Sequence, residues 1–165
     1  MRILGIDTSL RSTGYGVLET QGSRLVALDY GRIRNDAKLP LSECLKNIYL
    51  KVCALITGYS PEVVAVEEVI YAKNAATMLI LGEARGAVIT AATNAELPIY
   101  EYEPRAMKRA VCGNGLADKE QIQRMVKTLL NLPELPQNDA ADALGLAIAH
   151  AHQGRYAAIS TREPI

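Results

Sequence analysis

The 165-residue chain contains no run of about 18 uncharged apolar residues, so no membrane span is expected. No signal peptide is expected either, because Arg2 leads at once into a short apolar strand. Cys44, Cys53 and Cys112 are odd in number and form no CxxC pair. That spacing argues against a disulfide framework and against a zinc site, and makes a reducing, cytoplasmic setting the expectation. Charge of one sign is also missing: 18 Lys and Arg offset 18 Asp and Glu. The chain as a whole therefore lacks the basic excess common in DNA-binding domains. Internal repeats and low-complexity segments are absent as well.

What is present fits one globular domain with a substantial core, since 49% of the residues are hydrophobic. Residues 1–153 read as that domain and 154–165 as a short C-terminal tail, open to fraying. The chain opens with three strand patterns, at 2–7, 14–19 and 24–34, joined by short connections that favour antiparallel pairing. An amphipathic helix is expected at about 41–57, stopped by Gly58-Tyr59-Ser60-Pro61, and a buried strand follows at 63–67. The helix expected at 75–95 is apolar on more than one side, and Gly82 and Gly86 would let another backbone approach closely. Such a helix needs cover on both sides, from a second copy of the chain or from its own C-terminal helices. A short strand at 98–101 and helices at 104–112, 118–131 and 139–152 complete the pattern, with Asp118 as an N-cap. The sum is an α/β fold: a five-stranded mixed sheet, its leading hairpins antiparallel and its later strands parallel, with helices on both faces.

Four carboxylates end up at the ends of these elements. Asp7 closes the first strand, Glu67 closes the fourth, and Asp139 and Asp142 open the last helix. A charge at the end of a buried strand is costly unless it is compensated. If the two strands are neighbours their acids repel, and a hard divalent cation such as Mg²⁺ or Mn²⁺ would relieve both problems. Simpler readings exist for each acid taken alone. Asn138 or Asp139 could cap the helix, Asp142 could favour its positive end, Asp7-Thr8-Ser9 is a good Asx turn, and Glu68 could face inward instead of Glu67. Between Arg105 and Lys127, basic residues (Arg105, Lys108, Arg109, Lys119, Arg124, Lys127) outnumber acidic ones (Asp118, Glu120). A basic surface beside an acidic cluster is what a metal-dependent nuclease needs; a solvated helix face is the plainer alternative.

The residues then carry a resemblance. Leu4-Gly5-Ile6-Asp7, Thr13-Gly14-Tyr15-Gly16-Val17, Ala65-Val66-Glu67-Glu68-Val69, Ala72-Lys73-Asn74, Leu81-Gly82-Glu83-Ala84-Arg85-Gly86, Leu97-Pro98-Ile99-Tyr100-Glu101-Tyr102 and Asp139-Ala140-Ala141-Asp142-Ala143-Leu144 occur in that order. The series resembles the RuvC family of bacterial Holliday junction resolvases over nearly the whole chain. The resemblance implies a ribonuclease-H-like fold, a homodimer and a Mg²⁺-dependent endonuclease that cuts four-way DNA junctions. It puts the four catalytic, metal-holding acids on Asp7, Glu67, Asp139 and Asp142, and selects Glu67 over Glu68. Family lysines that contact DNA match Lys108 and Lys119, and RuvA and RuvB are implied as partners. Where many members carry a stacking-disrupting aromatic, this chain has Ile70 followed by Tyr71, so one of these would act as the wedge. Lys73 and Arg85 are further candidates for backbone contacts. The mechanism implied is in-line phosphodiester hydrolysis with two metal ions roughly 3.5–4 Å apart, Lys119 stabilising charge on the phosphate. His150 lies too far along the helix from Asp142 for catalysis and reads as structural.

Three other readings are weaker. An ATP-binding, actin/hexokinase-like protein would share the opening hairpin but needs a second lobe for which 165 residues leave no room. A non-catalytic junction-binding protein would have no reason to keep all four acids. An RNA-processing nuclease of the same fold lacks the ordered series of motifs.

Overall fold

The computed structural model describes residues 1–69, 74–155 and 163–165. In chain order the elements are β1 (Arg2–Asp7), β2 (Ser12–Gln21), β3 (Arg24–Arg34), α1 (Leu41–Tyr59), β4 (Val63–Glu67), α2 (Ala75–Asn94), β5 (Ile99–Tyr102), α3 (Pro104–Cys112), α4 (Lys119–Leu130) and α5 (Asn138–Arg155). They form one mixed sheet of order β3-β2-β1-β4-β5. β2 pairs antiparallel with both β1 and β3, and β4 pairs parallel with β1 and β5. The expected fold class is therefore the one found, with β2 longer than its apolar pattern suggested.

Each strand's alternation decides which helices it meets. Leu4, Ile6, Val17, Ile33, Val64 and Val66 pack with α1 and α2 on one face. Ile3, Leu18, Val63 and Ala65 pack with α3, α4 and α5 on the other. β1 and β4 are buried on both sides, which explains their unbroken apolar runs. The helix boundaries follow local chemistry. Ser60 ends α1 in the left-handed region (φ 47°), and Pro61 prevents continuation. Asn74 caps α2 by accepting from the Ala76 amide at 2.9 Å. Asp118 and Gln121 form a reciprocal capping box at the start of α4, so the expected cap at Asp118 is present.

α5 lies directly on the sheet, and two glycines make that possible. A methyl at Gly5 would overlap the Ala143 carbonyl oxygen, and one at Gly14 would overlap the carbonyl of Asp139. Backbone therefore rests on backbone at both points. α5 extends to Arg155, two residues past the expected end of the domain. At the chain terminus, the Ile165 amide donates to the Ile99 carbonyl of edge strand β5 at 3.0 Å.

Among the described residues α2 is covered on one side. Ala84, Val88, Ala91 and Ala92 are buried against α1 and the sheet. The opposite side is open: Leu79 is 69% exposed and Ile80 40%, and added side chains at Gly82 or Gly86 would meet nothing within 4 Å. Cover by the chain's own C-terminal helices does not occur, because those helices occupy the other face of the sheet. α2 is long and apolar enough to cross a membrane by composition, but it also carries Glu83 and Arg85.

Candidate active site

Strand alternation brings the acids together. On β1, Ile3 and Gly5 face α5, so Asp7 faces it too; on β4, Val63 and Ala65 do, and so does Glu67. The parallel register pairs Ile6 with Val66, which sets Asp7 beside Glu67 at the carboxyl ends of adjacent strands. Asp139 and Asp142, three residues apart in the first turns of α5, share the face that lies on these strands.

The electrostatics match that convergence. Asp7 is pushed up from the ordinary 3.8 to about 8, first by burial and then by Glu67, Asp142 and Asp139, with Lys119 pulling the other way. Glu67 is raised by burial and then by Asp142, against the lowering pull of Lys108 and Lys119. Asp142 is raised by burial and by Asp139, and lowered by Lys119 and Lys108. Lys119, the first residue of α4, and Lys108 on α3 thus both stand within electrostatic reach of the cluster. The capping box at Asp118 fixes where α4, and with it Lys119, begins.

Among the described residues, no three His, Cys, Asp or Glu side chains close into a ready-made cage for an ion. The four acids offer only hard oxygen donors, which suits Mg²⁺ or Mn²⁺ rather than zinc or copper. The raised pKa values of Asp7, Glu67 and Asp142 report a site short of positive charge. The donor set fits a hard divalent cation.

Asp139 does not spend its carboxylate capping α5, which begins at Asn138. It accepts a short hydrogen bond from Ser12 Oγ, and Arg32 Nη1 stands 3.9 Å from the same oxygen, Oδ2. Neither partner was expected from sequence. The signal was available in the period of two along β2, which puts Ser12 on the same face as Gly14, directly under α5. Arg85, expected to face DNA, is instead paired with Glu101 and largely buried, and its Nε lacks a partner. His150 sits against Tyr100 and Tyr102; its Nδ1 is 2.8 Å from the Tyr102 hydroxyl, which donates to Gln153 at 2.9 Å. Burial lowers its basicity, and this aromatic setting gives it a packing role. Ile70, Tyr71 and Lys73 lie outside the described residues.

Comparison with known proteins identifies the family. The family profile described as crossover junction endodeoxyribonuclease RuvC matches residues 3–150, a span that includes all four acids. The RuvC protein of Geobacter sp. (strain M21) is 50% identical over 159 residues, covering 96% of this chain and 97% of its own length. That of Vibrio cholerae serotype O1 is 54% identical over 154 residues, covering 93% and 88%. Among solved structures, Thermus thermophilus RuvC in complex with its Holliday junction substrate superposes with a TM-score of 0.92 at 33% identity, covering 100% of this chain and 99% of that one. A mixed sheet that sets carboxylates on neighbouring parallel strands against an acidic helix start, matched along its length by these relatives, places this chain in the RuvC family of crossover junction endodeoxyribonucleases.

Proposed function

We propose that this chain is a structure-selective DNA endonuclease that resolves four-way Holliday junctions by paired symmetric nicks during homologous recombination and repair, with Asp7, Glu67, Asp139 and Asp142 as its hydrolytic centre. The observation that carries the site assignment is Asp7, half-buried at the end of a central strand and raised to about 8 by desolvation and three other acids. A carboxyl so placed costs stability, and a role in holding cations accounts for its presence. The Thermus thermophilus relative, whose own structure holds a Holliday junction substrate, supports the choice of DNA.

Asp7 and Glu67 would hold Mg²⁺ from the sheet, and Asp139 and Asp142 from α5, with Mn²⁺ as a substitute and two ions as the expected complement. Divalent ions, when bound there, supply polarisation of the scissile phosphate and acidified water. Lys119 stabilises the charge that develops on the phosphate, its position set by the start of α4. Lys108, on the same side, orients the backbone without reading sequence. Arg85 braces α2 against β5 through Glu101 and is not free to grip DNA unless that pair opens. Lys73 remains a candidate backbone contact, and Ile70 or Tyr71 a candidate wedge at the junction centre.

A second copy of the chain would cover the open side of α2 around Leu79, Ile80, Gly82 and Gly86. A dimer of this kind relates two acidic sites by a two-fold axis, which suits the approximate symmetry of a four-way junction. Membership of the family makes RuvA and RuvB the expected suppliers of the junction.

The test is incubation with a synthetic mobile four-way junction in Mg²⁺, beside linear duplex and an Asp7→Asn control. Paired nicks in opposing strands, missing from both controls, are expected. Tight junction binding without nicks, even in Mn²⁺, would leave a binding module instead.

A further inference from the structure

The β2–β3 hairpin holds Asp139 from one side only. Ser12 Oγ and Arg32 Nη1 both address Oδ2, and Oδ1 takes no bond from the described residues. Gly14 lies between these partners: it follows Ser12 by two residues and pairs in register with Arg32. Because Gly14 has no side chain, the backbone of Asp139 settles directly onto the strand. Backbone position and one carboxylate oxygen are therefore fixed, the other oxygen is left without a hydrogen bond from the described residues, and Asp139 stands near enough to act on Asp7 and Asp142.

The two partners differ in kind. Ser12 makes a directional hydrogen bond, which selects the orientation of the carboxylate. Arg32 at 3.9 Å is beyond hydrogen-bond range and acts as a charge; its buried Nε has no hydrogen-bond partner among the described residues. An orienting hydrogen bond strengthens a ligand's hold on a cation, whereas a fixed positive charge on the same carboxylate opposes a cation's arrival.

We propose that Ser12 and Arg32 are positioning residues for cation binding at Asp139 and act in opposite senses: Ser12 presents Oδ1 and strengthens binding, while Arg32 is a resident countercharge that weakens it. The proposal rests on the reading of Asp139 as a metal-holding acid.

Binding of Mn²⁺ to the full-length, metal-free protein, followed by the electron paramagnetic resonance of free Mn²⁺, tests this without any cleavage assay. Ser12→Ala should weaken binding about tenfold, the scale at which a ligand's orienting partner acts. Ser12→Thr, which keeps the hydroxyl, should restore wild-type binding. Arg32→Met, which keeps the aliphatic stem, should tighten binding about threefold, a charge effect that shrinks with added salt. Asp139→Asn separates the two readings. If it abolishes binding while Ser12→Ala leaves it unchanged, or if Arg32→Met weakens it as Ser12→Ala does, the positioning proposal falls alone. If Asp139→Asn itself binds like wild type, the metal-holding role of Asp139 falls, and this proposal with it.

Discussion

α2 and α5 are both long, alanine-rich and apolar, yet they meet opposite fates. From Ala140 to Ala149 every residue of α5 except Asp142 is buried between the sheet, α3 and α4. In α2 only Ala84, Val88, Ala91 and Ala92 are buried, and Leu79 stands in the open. Composition is common to the two; the difference lies in what each lies against. α5 has glycines beneath it and helices above it, so its few polar side chains are forced to the rim, where Asp139 and Asp142 become useful. α2 keeps an apolar side with no neighbour among the described residues, the side on which the proposed second copy would sit.

The sharpest way to break this contrast is at the acidic end of α5's footprint. Asp7→Asn should lower junction cleavage by about a thousandfold or more, the scale of losing a principal electrostatic stabiliser, or roughly 4 kcal/mol of barrier. The same change should raise the melting temperature measured without divalent ions, because a buried carboxylate is removed from among three others. A protein that still cuts would dissolve the distinction between a catalytic helix face and a merely buried one.

Next is the seat of α5. Gly5→Val should cost about 3 kcal/mol or prevent folding, since the new side chain meets backbone that cannot give way. Gly82→Ala on α2, where nothing lies within 4 Å, should leave the monomer as stable or more stable by about 0.5–1 kcal/mol. Urea unfolding of both variants at high dilution checks the pair.

Leu79→Asp examines the open side directly. It should shift the protein from dimer to monomer, raising the dissociation constant about thirtyfold, or roughly 2 kcal/mol, when a charge enters an apolar contact. Light scattering coupled to size exclusion reads the mass, and an unchanged far-ultraviolet circular dichroism spectrum should accompany it. The smallest effect expected is that of Asp118→Ala, about 1 kcal/mol for a lost cap. It should also reduce cleavage several-fold through Lys119, measurable at saturating junction.

The regions most plainly written in the sequence are those where one local rule decides. The apolar runs at 2–7 and 63–67 mark two strands covered on both sides, and alternation along them turns Asp7 and Glu67 toward the same helix. Asp118 with Gln121 announces a helix start. Less legible is whatever depends on a partner distant in the chain. Ser12 meets Asp139 across 127 residues, and no local pattern in β2 names its acceptor. Arg85 looked like a surface cation, but Glu101 on a neighbouring strand claims it. The apolar run of α2 indicated a need for cover without saying that the described C-terminal helices do not provide it. The β2 boundaries were too narrow because Ser12 and Thr13 lack the apolar signal, although Thr13 is wholly buried and donates to the Ser9 carbonyl at 2.6 Å.

The two points where α5 touches bare strand also work as a ruler. Packed side chains leave some slack, because rotamers can adjust to a neighbour's loss or gain. A carbonyl lying on a strand with no Cβ in between has no such slack. The spacing from the acids of the sheet to those of α5 is thus fixed by main-chain atoms, whose size no substitution can alter. Changes elsewhere in the core should therefore reach stability well before they reach the separation of the four carboxylates.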